Sequence, residues 1–523
     1  MFDINRLSSK KLTARAIERT GYYQEQPLDV FQTLVEDNQE SVLLESADVT
    51  SKDRLKSILI IDAALKITCN DLTISVVSLS NNGDNLLKSL CDYLVDYLSE
   101  ATEKTARFEF TRADANLDEE KRLLHKTVFE PLRFFLNAIT IEDGEEPIMV
   151  AGVFAYDLIG NIERLPQVDT DFNDCPDYIF YVSETQIIID HQHKTTKIIS
   201  HIFPNNGHIE NNATVDNRNL YIQEICQQDI HYNRSIKSID CVEESNVSDP
   251  DFSDTVKRLK DNIIAGDVFQ VVPSRAFYVP CYNTFNAYYM LKITNPSPYM
   301  FYLKTSDFVL FGASPESALK YQASNRVIEV YPIAGTRPRG KTQSGELNSD
   351  LDSRIELELR QDNKELAEHM MLVDLARNDV ARISEPGTRC VPELLKVDRY
   401  SHVMHLVSRV TGTLNLDLDT LHAYQACMNM GTLVGAPKIR AAELIRIVEN
   451  KRRGSYGGAV GYFDSNGNMD TCIVIRSAFV KNNIACIQAG AGVVFDSDPQ
   501  SETDETRHKA QAVINAIKTG GGV

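Results

Sequence analysis

Residues 459–495 constrain the fold more tightly than any other stretch. Three β-rich runs, "AVGYF" (459–463), "TCIVIRSAFV" (471–480) and "IACIQAGAGVVF" (484–495), are separated by the turns "DSNGN" and "KNN". Turns this short join antiparallel neighbours, because a parallel crossover needs a dozen or more residues. The meander runs into "SETDETRHKAQAVINAIK" (501–518), which reads as a helix. This end of the chain is therefore an antiparallel sheet with a helix to cover it.

The same theme recurs upstream. "SILIIDAALKITC" (57–69) and "TISVVSL" (73–79) read as strands, and "QIIID" (186–190) with "TKIISHIF" (196–203) as a hairpin around "HQHKTT". Leu86, Leu87, Leu90, Leu94 and Leu98 carry helical spacing. Further on, "SDTVKRLKDNIIAG" predicts a helix from Ser253 as N-cap to Gly266 as stop. "DVFQVV", "FVLFG" and "NRVIEVYPIAG" predict strands, and a long helix is expected over about 353–374. The fold class is α+β: large, mainly antiparallel sheets flanked by helices. No internal repeat is present.

At 523 residues the chain exceeds one simple core. Two polar stretches interrupt the pattern, "PNNGHIENNATVDNRN" (204–219) and "CVEESNVSDP" (241–250). The second divides the chain into an N-terminal region, 1–245, and a C-terminal region, 251–523. A formal charge of −20 opposes broad binding to nucleic acid or anionic membrane. No apolar run approaches the roughly 20 residues of a membrane span. Ten scattered cysteines without a CxxC pair fit reduced thiols in a cytoplasmic protein better than a disulfide framework or zinc site. The basic first twenty residues lack an apolar core and read as an ordinary exposed N-terminus rather than a secretory signal.

Several positions can carry chemistry. In "NKELAEHMMLVDLARND", Glu365 and Glu368 share a helix face. In the last helix Glu502 and Glu505 do the same, with Lys509 one turn beyond Glu505. Two such helices can converge on a divalent cation, although on spacing alone solvated helix faces are the simpler reading. Gly490 and Gly492 in "QAGAGVVF" mark a close backbone approach by a ligand, not a dinucleotide fingerprint. "GTLVGAPK" (431–438) lacks the ending of a phosphate loop. Tyr456 stands beside Gly457 and Gly458. Arg476 sits in an otherwise apolar strand, where a buried guanidinium needs a carboxylate of the protein or of a ligand. His405 is a lone histidine, ordinarily structural. Glu316, after a proline in "GASPES", can be a raised-pKa acid if its surroundings are dry. "VYPIAGTRPRG" (330–340) gathers a glycine turn, a hydroxyl and two arginines, and places the chemically silent Ala334 in its centre.

Taken in order, "FQVVPSR", "GASPES", "PIAGTRPRG", "DNKELAEHMMLVDLARND", "HLVSRVTG", "GTLVGAPKIRA", "SYGGAVGY", "CIVIRSA", "QAGAGVVFDSDPQSE" and "ETRHKA" resemble the chorismate-utilising enzymes, most closely the anthranilate synthase component I branch. The motifs cover roughly residues 265–510, and "LLESA" (43–47) with "NPSPYMFYL" (295–303) extends the match to nearly the whole chain.

The resemblance implies a Mg²⁺-dependent lyase that turns chorismate and ammonia into anthranilate and pyruvate, the first committed step of tryptophan formation. It implies Glu368 and Glu505 as Mg²⁺ ligands, supported by Glu365 and Glu502. Gly335, Thr336, Tyr456, Arg476, Gly490, Ala491, Gly492 and Lys509 would bind substrate. Glu316, His405, Thr432 and Gln270 would take catalytic places, with Glu316 as general acid for loss of the 4-hydroxyl and His405 linked to pyruvate elimination.

Two positions speak to subtype. Aminodeoxychorismate synthases have a nucleophilic lysine where this chain has Ala334. Isochorismate and salicylate synthases have a water-activating lysine where it has Gln270. A separate glutamine amidotransferase subunit is implied, since no Gly-x-Cys-x-Gly turn occurs, in a heterotetramer of two large and two small subunits. Ser46, Pro298, Tyr299 and Met300 match a tryptophan pocket for feedback inhibition by L-tryptophan. The alternatives are an aminodeoxychorismate synthase and a non-catalytic tryptophan-sensing subunit.

Overall fold

The computed structural model describes residues 12–36, 39–46, 55–114, 116–141, 146–203, 210–342, 346–400 and 403–523. Two long strands organise it. Lys56–Asn70 and Tyr178–Asp190 pair antiparallel from Lys56↔Asp190 to Cys69↔Tyr178, with register shifts between Ile60 and Leu65. Bulges of this kind bend and twist a strand pair, and here each end of the pair acquires different neighbours. One end adds Ser41–Glu45 and Thr195–Ile202; the other adds Thr73–Ser78 and Met149–Phe154.

Two sheets grow from the two ends. The first continues from Ser41–Glu45 through Tyr299–Lys304, Val309–Ser314, Ser477–Lys481 and Ile484–Gly490 to Ser274–Pro280. The second continues from Met149–Phe154 through Ala459–Asp464, Met469–Ile473, Ser317–Gln322 and Val327–Val330 to Val403–Thr413. Apart from one short parallel ladder, Leu12–Gly21 with Ile139–Ile141, the named strand pairings are antiparallel.

A single apolar cluster lies between the sheets. It takes Phe301, Leu310 and Phe479 from the first, and Ala151, Val460 and Cys472 from the second. The outer face of the first sheet, with Phe277 and Ile487, packs on helices that supply Leu291, Val513 and Ile517. The outer face of the second, with Leu319 and Val410, packs on helices that supply Leu90, Val373 and Tyr424. The order is helix, sheet, sheet, helix. Strands from both sides of residues 245–251 interleave in both sheets, so that stretch is not a break in hydrogen bonding.

Several local expectations change. The meander strand 471–480 is two strands, Met469–Ile473 in the second sheet and Ser477–Lys481 in the first. Arg476 has φ +50° at the crossing and is not inside a strand. The long helix is also two, Ser349–Gln361 and Asn363–Ala381. Asp362 breaks it: its side chain accepts from the N–H groups of Lys364 and Glu365 and so caps the second helix. The helix expected from Ser253 runs Asp249–Ile264, because Ser248 caps it and accepts from the Asp251 N–H. Of "DVFQVV", only Gln270–Val271 pairs as a strand, with Gly435–Ala436. The polar stretch 204–219 contains the start of the helix Glu210–Ile225. All ten cysteines are free thiols. No helix among the described residues is long and apolar enough to cross a membrane.

Candidate active site

Two consecutive strand pairs cross from one sheet to the other at the same place. Val309–Ser314 leads through Pro315 and Glu316 into Ser317–Gln322, while Met469–Ile473 leads through Val474–Arg476 into Ser477–Lys481. Backbone groups at such a seam leave the ladders, and a cavity of about 410 Å³ opens beside it. Glu316, Arg476, Gly335, Thr336, His405, Thr432, Tyr456, Gln270, Gly490, Gly492 and Lys509 line it, as do Glu365, Glu368, Glu502 and Glu505. Ala491 does not. Its N–H donates to the Pro273 carbonyl, so only its backbone supports the wall.

Glu316 is buried, and its Oε1 accepts a hydrogen bond of 2.8 Å from Thr432 Oγ1. Burial pushes its carboxyl up to about 8, against the opposing pull of Thr432 and Lys509. His405 Nδ1 lies 2.9 Å from Thr336 Oγ1. Burial, together with the Arg476 guanidinium, holds the imidazole down at about 4, so it is neutral at pH 7. An acid that keeps its proton and a histidine that stays unprotonated thus face one cavity.

The strand Ile333–Pro338 explains how Thr336 reaches His405. Its register against Val403–Thr413 shifts between Ala334 and Thr336. Gly335 takes up the bulge with φ +77°, where a Cβ would stand 3.1 Å from both Glu365 Oε2 and Leu359 Cδ1. Arg337 then reaches back with 2.8 Å and 2.7 Å bonds to Glu365 and Asp362.

Opposite this bulge, Arg476 Nη1 donates to the Lys509 carbonyl at 2.5 Å. Lys509 Nζ donates to Gly490 O at 3.0 Å and pairs with Glu505 at 2.6 Å. The Tyr456 hydroxyl would lie 3.0 Å from a Cβ at Gly490, so a side chain there would crowd it. Arg476, Tyr456 and Gly490 line the same cavity, and the guanidinium and the phenol are donors of the kind a carboxylate takes. Gln270 Oε1 is buried without a hydrogen-bond partner, while its Nε2 would lie 2.8 Å from a Cβ at Gly492. A side chain at 492 would displace that amide from the cavity wall.

The four glutamates face the cavity from two helices. Glu365 is taken by Arg337, and Glu505 by Lys509. Burial and the neighbouring Glu365 and Glu505 raise Glu368 despite Lys364. Glu502 is pushed up to about 7 by burial and the adjacent Glu505. Burial opposes ionisation of Glu505 too, but Lys509, Glu502 and Arg476 outweigh it and lower its pKa. No three His, Cys, Asp or Glu side chains among the described residues form a ready-made cation cage. The donor set is a crowded, partly dry group of carboxylates, which fits a hard cation that takes only one or two of them and completes its shell with water and substrate.

Sequence reading missed the support beneath this site. Arg453 is 2 % exposed and donates to the carbonyls of Leu433 and Val272 and to Glu449. Its guanidinium lies 4.6 Å from the Tyr156 ring centroid and 5.7 Å from that of Tyr456. Glu449 in turn accepts from the Ser274 N–H and Oγ. The only sequence signal was a basic run, "KRRGSYGG", next to Tyr456.

The second group of expected residues comes from two stretches that are distant in sequence and paired in the sheet. Ser41–Glu45 pairs with Tyr299–Lys304, and Met300 faces Glu45, so Ser46 follows directly beside Tyr299. Pro298 precedes that strand. Ala47 of "LLESA" lies outside the described residues.

Residues 93–515 match the chorismate binding enzyme family. The chain is 51 % identical to anthranilate synthase component 1 of Escherichia coli, over 98 % of each chain. It is 52 % identical to that of Vibrio parahaemolyticus, over 95 % of this chain and 91 % of the relative. The solved anthranilate synthase component I of Streptococcus pneumoniae superimposes with a TM-score of 0.67 at 28 % identity, covering 88 % of this chain and 92 % of that one. The chain belongs to the chorismate-binding enzymes and, within them, to the anthranilate synthase component 1 family.

Proposed function

We propose that the chain converts chorismate and ammonia to anthranilate and pyruvate. The observation that carries this reading is the single cavity lined by a proton-holding Glu316, a neutral His405, Arg476, Tyr456, Gly490 and four glutamates. Chorismate is a dianion that needs one cationic hold for each carboxylate. Arg476, Tyr456 and the glycine backbone suit the enolpyruvyl carboxylate. Glu368 and Glu505, supported by Glu365 and Glu502, would hold Mg²⁺, which when bound supplies an electrostatic clamp for the ring carboxylate.

Glu316 then donates its proton to the departing 4-hydroxyl, and Thr432 fixes the orientation of its carboxyl. The orphan Gln270 Oε1 is an acceptor suited to the N–H groups of incoming ammonia. His405, held by Thr336, assists elimination of pyruvate. Ala334 lines the cavity, so no amine stands where an aminodeoxychorismate synthase would place its nucleophile.

The reading extends to regulation and partners. L-tryptophan would bind at Ser46, Pro298, Tyr299 and Met300. A glutamine amidotransferase subunit would supply ammonia, in a cytoplasmic assembly of two large and two small subunits. The test uses the purified chain with chorismate, Mg²⁺ and ammonium, following anthranilate fluorescence with and without tryptophan. Product formed from ammonium but not from glutamine, and suppressed by tryptophan, supports the reaction, the outside source of ammonia and the tryptophan site. Intact chorismate after incubation with folded protein refutes the enzyme assignment.

A further inference from the structure

Glu316, Thr432 and Leu372 line more than the large cavity. They also wall a second hollow of about 30 Å³. A hollow of that size holds one or two water molecules. Tyr331 and Leu375, both half-buried, and Asp379 also line it. Asp379 is buried and bonded at 2.8 Å to Lys438 Nζ. The lining thus mixes polar groups, Glu316, Thr432, Tyr331 and Asp379, with apolar ones, Leu375, Ala376 and Met430.

Gly431 and Leu375 are both walls of the hollow and pack directly on each other. A Cβ on Gly431 would fall 2.1 Å from Leu375 Cδ2, so a side chain at 431 would push Leu375 out of its place in that wall. Thr432, the next residue, carries the hydroxyl that bonds to Glu316. The acid and the residue bonded to it are thus shared between the large cavity and this small hollow.

We propose that this hollow is the berth and exit for the water formed at Glu316, an inference that rests on the reaction proposed above. Ammonia forms the C2–N bond with its lone pair, the ring double bonds shift, and the C4–O bond breaks with its electron pair on oxygen. The Glu316 proton joins that oxygen, so the leaving group is water and Glu316 is left as a carboxylate. The new ammonium group gives up one proton to solvent and Glu316 takes one back from it, so chorismate and ammonia give the aminated ring and water, and the acid is restored. Chorismate fills the large cavity at this moment, and the product water is released on the side of Glu316 that faces the hollow. Carrying it away there prevents its return to C4.

The test places a plug and a widening at Leu375, which touches neither substrate nor acid in this scheme. Leu375→Phe fills the hollow. It is expected to lower kcat about tenfold, with the KM for chorismate, the pH midpoint of the alkaline limb and Tm unchanged. Leu375→Ala is expected to stay within about twofold of the parent kcat. A parental kcat in the Phe variant, or a change confined to KM or to the pH midpoint, overturns the proposal. A crystal structure of the unmodified chain gives a readout independent of turnover. An ordered water in the hollow, lost in Leu375→Phe, supports the berth, and a dry hollow overturns it. If the unmodified chain makes no anthranilate, the reaction assignment fails, and the crystallographic result still decides whether the hollow takes water.

Discussion

Thr432 Oγ1 donates to Glu316 Oε1 at 2.8 Å across the seam where the strands change sheets. The bond joins the residue that follows Pro315 to the short helix Gly431–Val434, more than a hundred positions later. It acts on a carboxyl that burial has already raised to about 8. A glutamic acid with an ordinary pKa of 4.5 would hold almost no proton at pH 7.

Activity should therefore fall as pH rises through about 8, because the protonated form of Glu316 is the working one. Thr432 favours the charged form, so Thr432→Val should move this alkaline limb to higher pH while lowering kcat through lost orientation. Glu316→Gln should cost about 10²- to 10⁴-fold in kcat/KM. A pH profile of kcat/KM for the three proteins checks both points. A limb that stays in place in Thr432→Val would show that another group sets it.

The four glutamates predict a sharp dependence on cation. With chelator present the chain should release no anthranilate, and added Mg²⁺ should restore it. Glu368→Ala should abolish turnover at any practical Mg²⁺ concentration. Glu365→Ala should leave turnover measurable but demand more Mg²⁺, because Glu365 is already committed to Arg337. Titrating activity against Mg²⁺ separates the two variants.

Arg453 predicts a loss of stability rather than of one catalytic step. It is a buried cation paired with Glu449 and bonded to two backbone carbonyls that belong to different walls of the cavity. Removing one partner of such a pair leaves an uncompensated charge, at a cost of about 3–5 kcal/mol. Arg453→Met should lower Tm measurably and weaken chorismate binding through Tyr456. The double variant Arg453→Met with Glu449→Gln should recover part of the Tm but not the binding.

Much of this molecule was legible from residue patterns because hydrophobic alternation and turn chemistry are local. The meander 459–495, the hairpin around residue 192 and the last helix follow from such signals. The seam did not. "TCIVIRSAFV" is apolar enough to read as one strand, and nothing local says that Arg476 adopts φ +50°. That conformation is imposed by the two sheets that claim its neighbours. Asp362 was readable in principle as a cap, yet helical residues on both sides hid it. Most residues that line the cavity had been singled out through ten ordered motifs together, since each glutamate pair alone resembles a solvated helix face. Arg453 and Glu449 escaped because their role depends on tertiary contacts with Val272, Ser274 and Leu433.

Tyr299, beside Ser46, donates its hydroxyl to Asp470 Oδ1 at 2.9 Å. Asp470 belongs to Met469–Ile473, the strand that passes through the seam to Arg476. It faces Lys320 on the strand that begins just after Glu316. The hydroxyl thus touches a strand flanked by the acid and the carboxylate-binding arginine. If tryptophan acts by shifting Tyr299, Asp470 is the first residue to feel it. Asp470→Ala should raise the tryptophan concentration for half-inhibition by about tenfold, a coupling of ordinary size. The kcat without tryptophan should stay within about threefold of the parent, since Asp470 does not line the cavity. Tryptophan binding measured directly, for example by calorimetry, should persist. Lost binding would make Asp470 part of the pocket itself, and unchanged inhibition would place the coupling on another path.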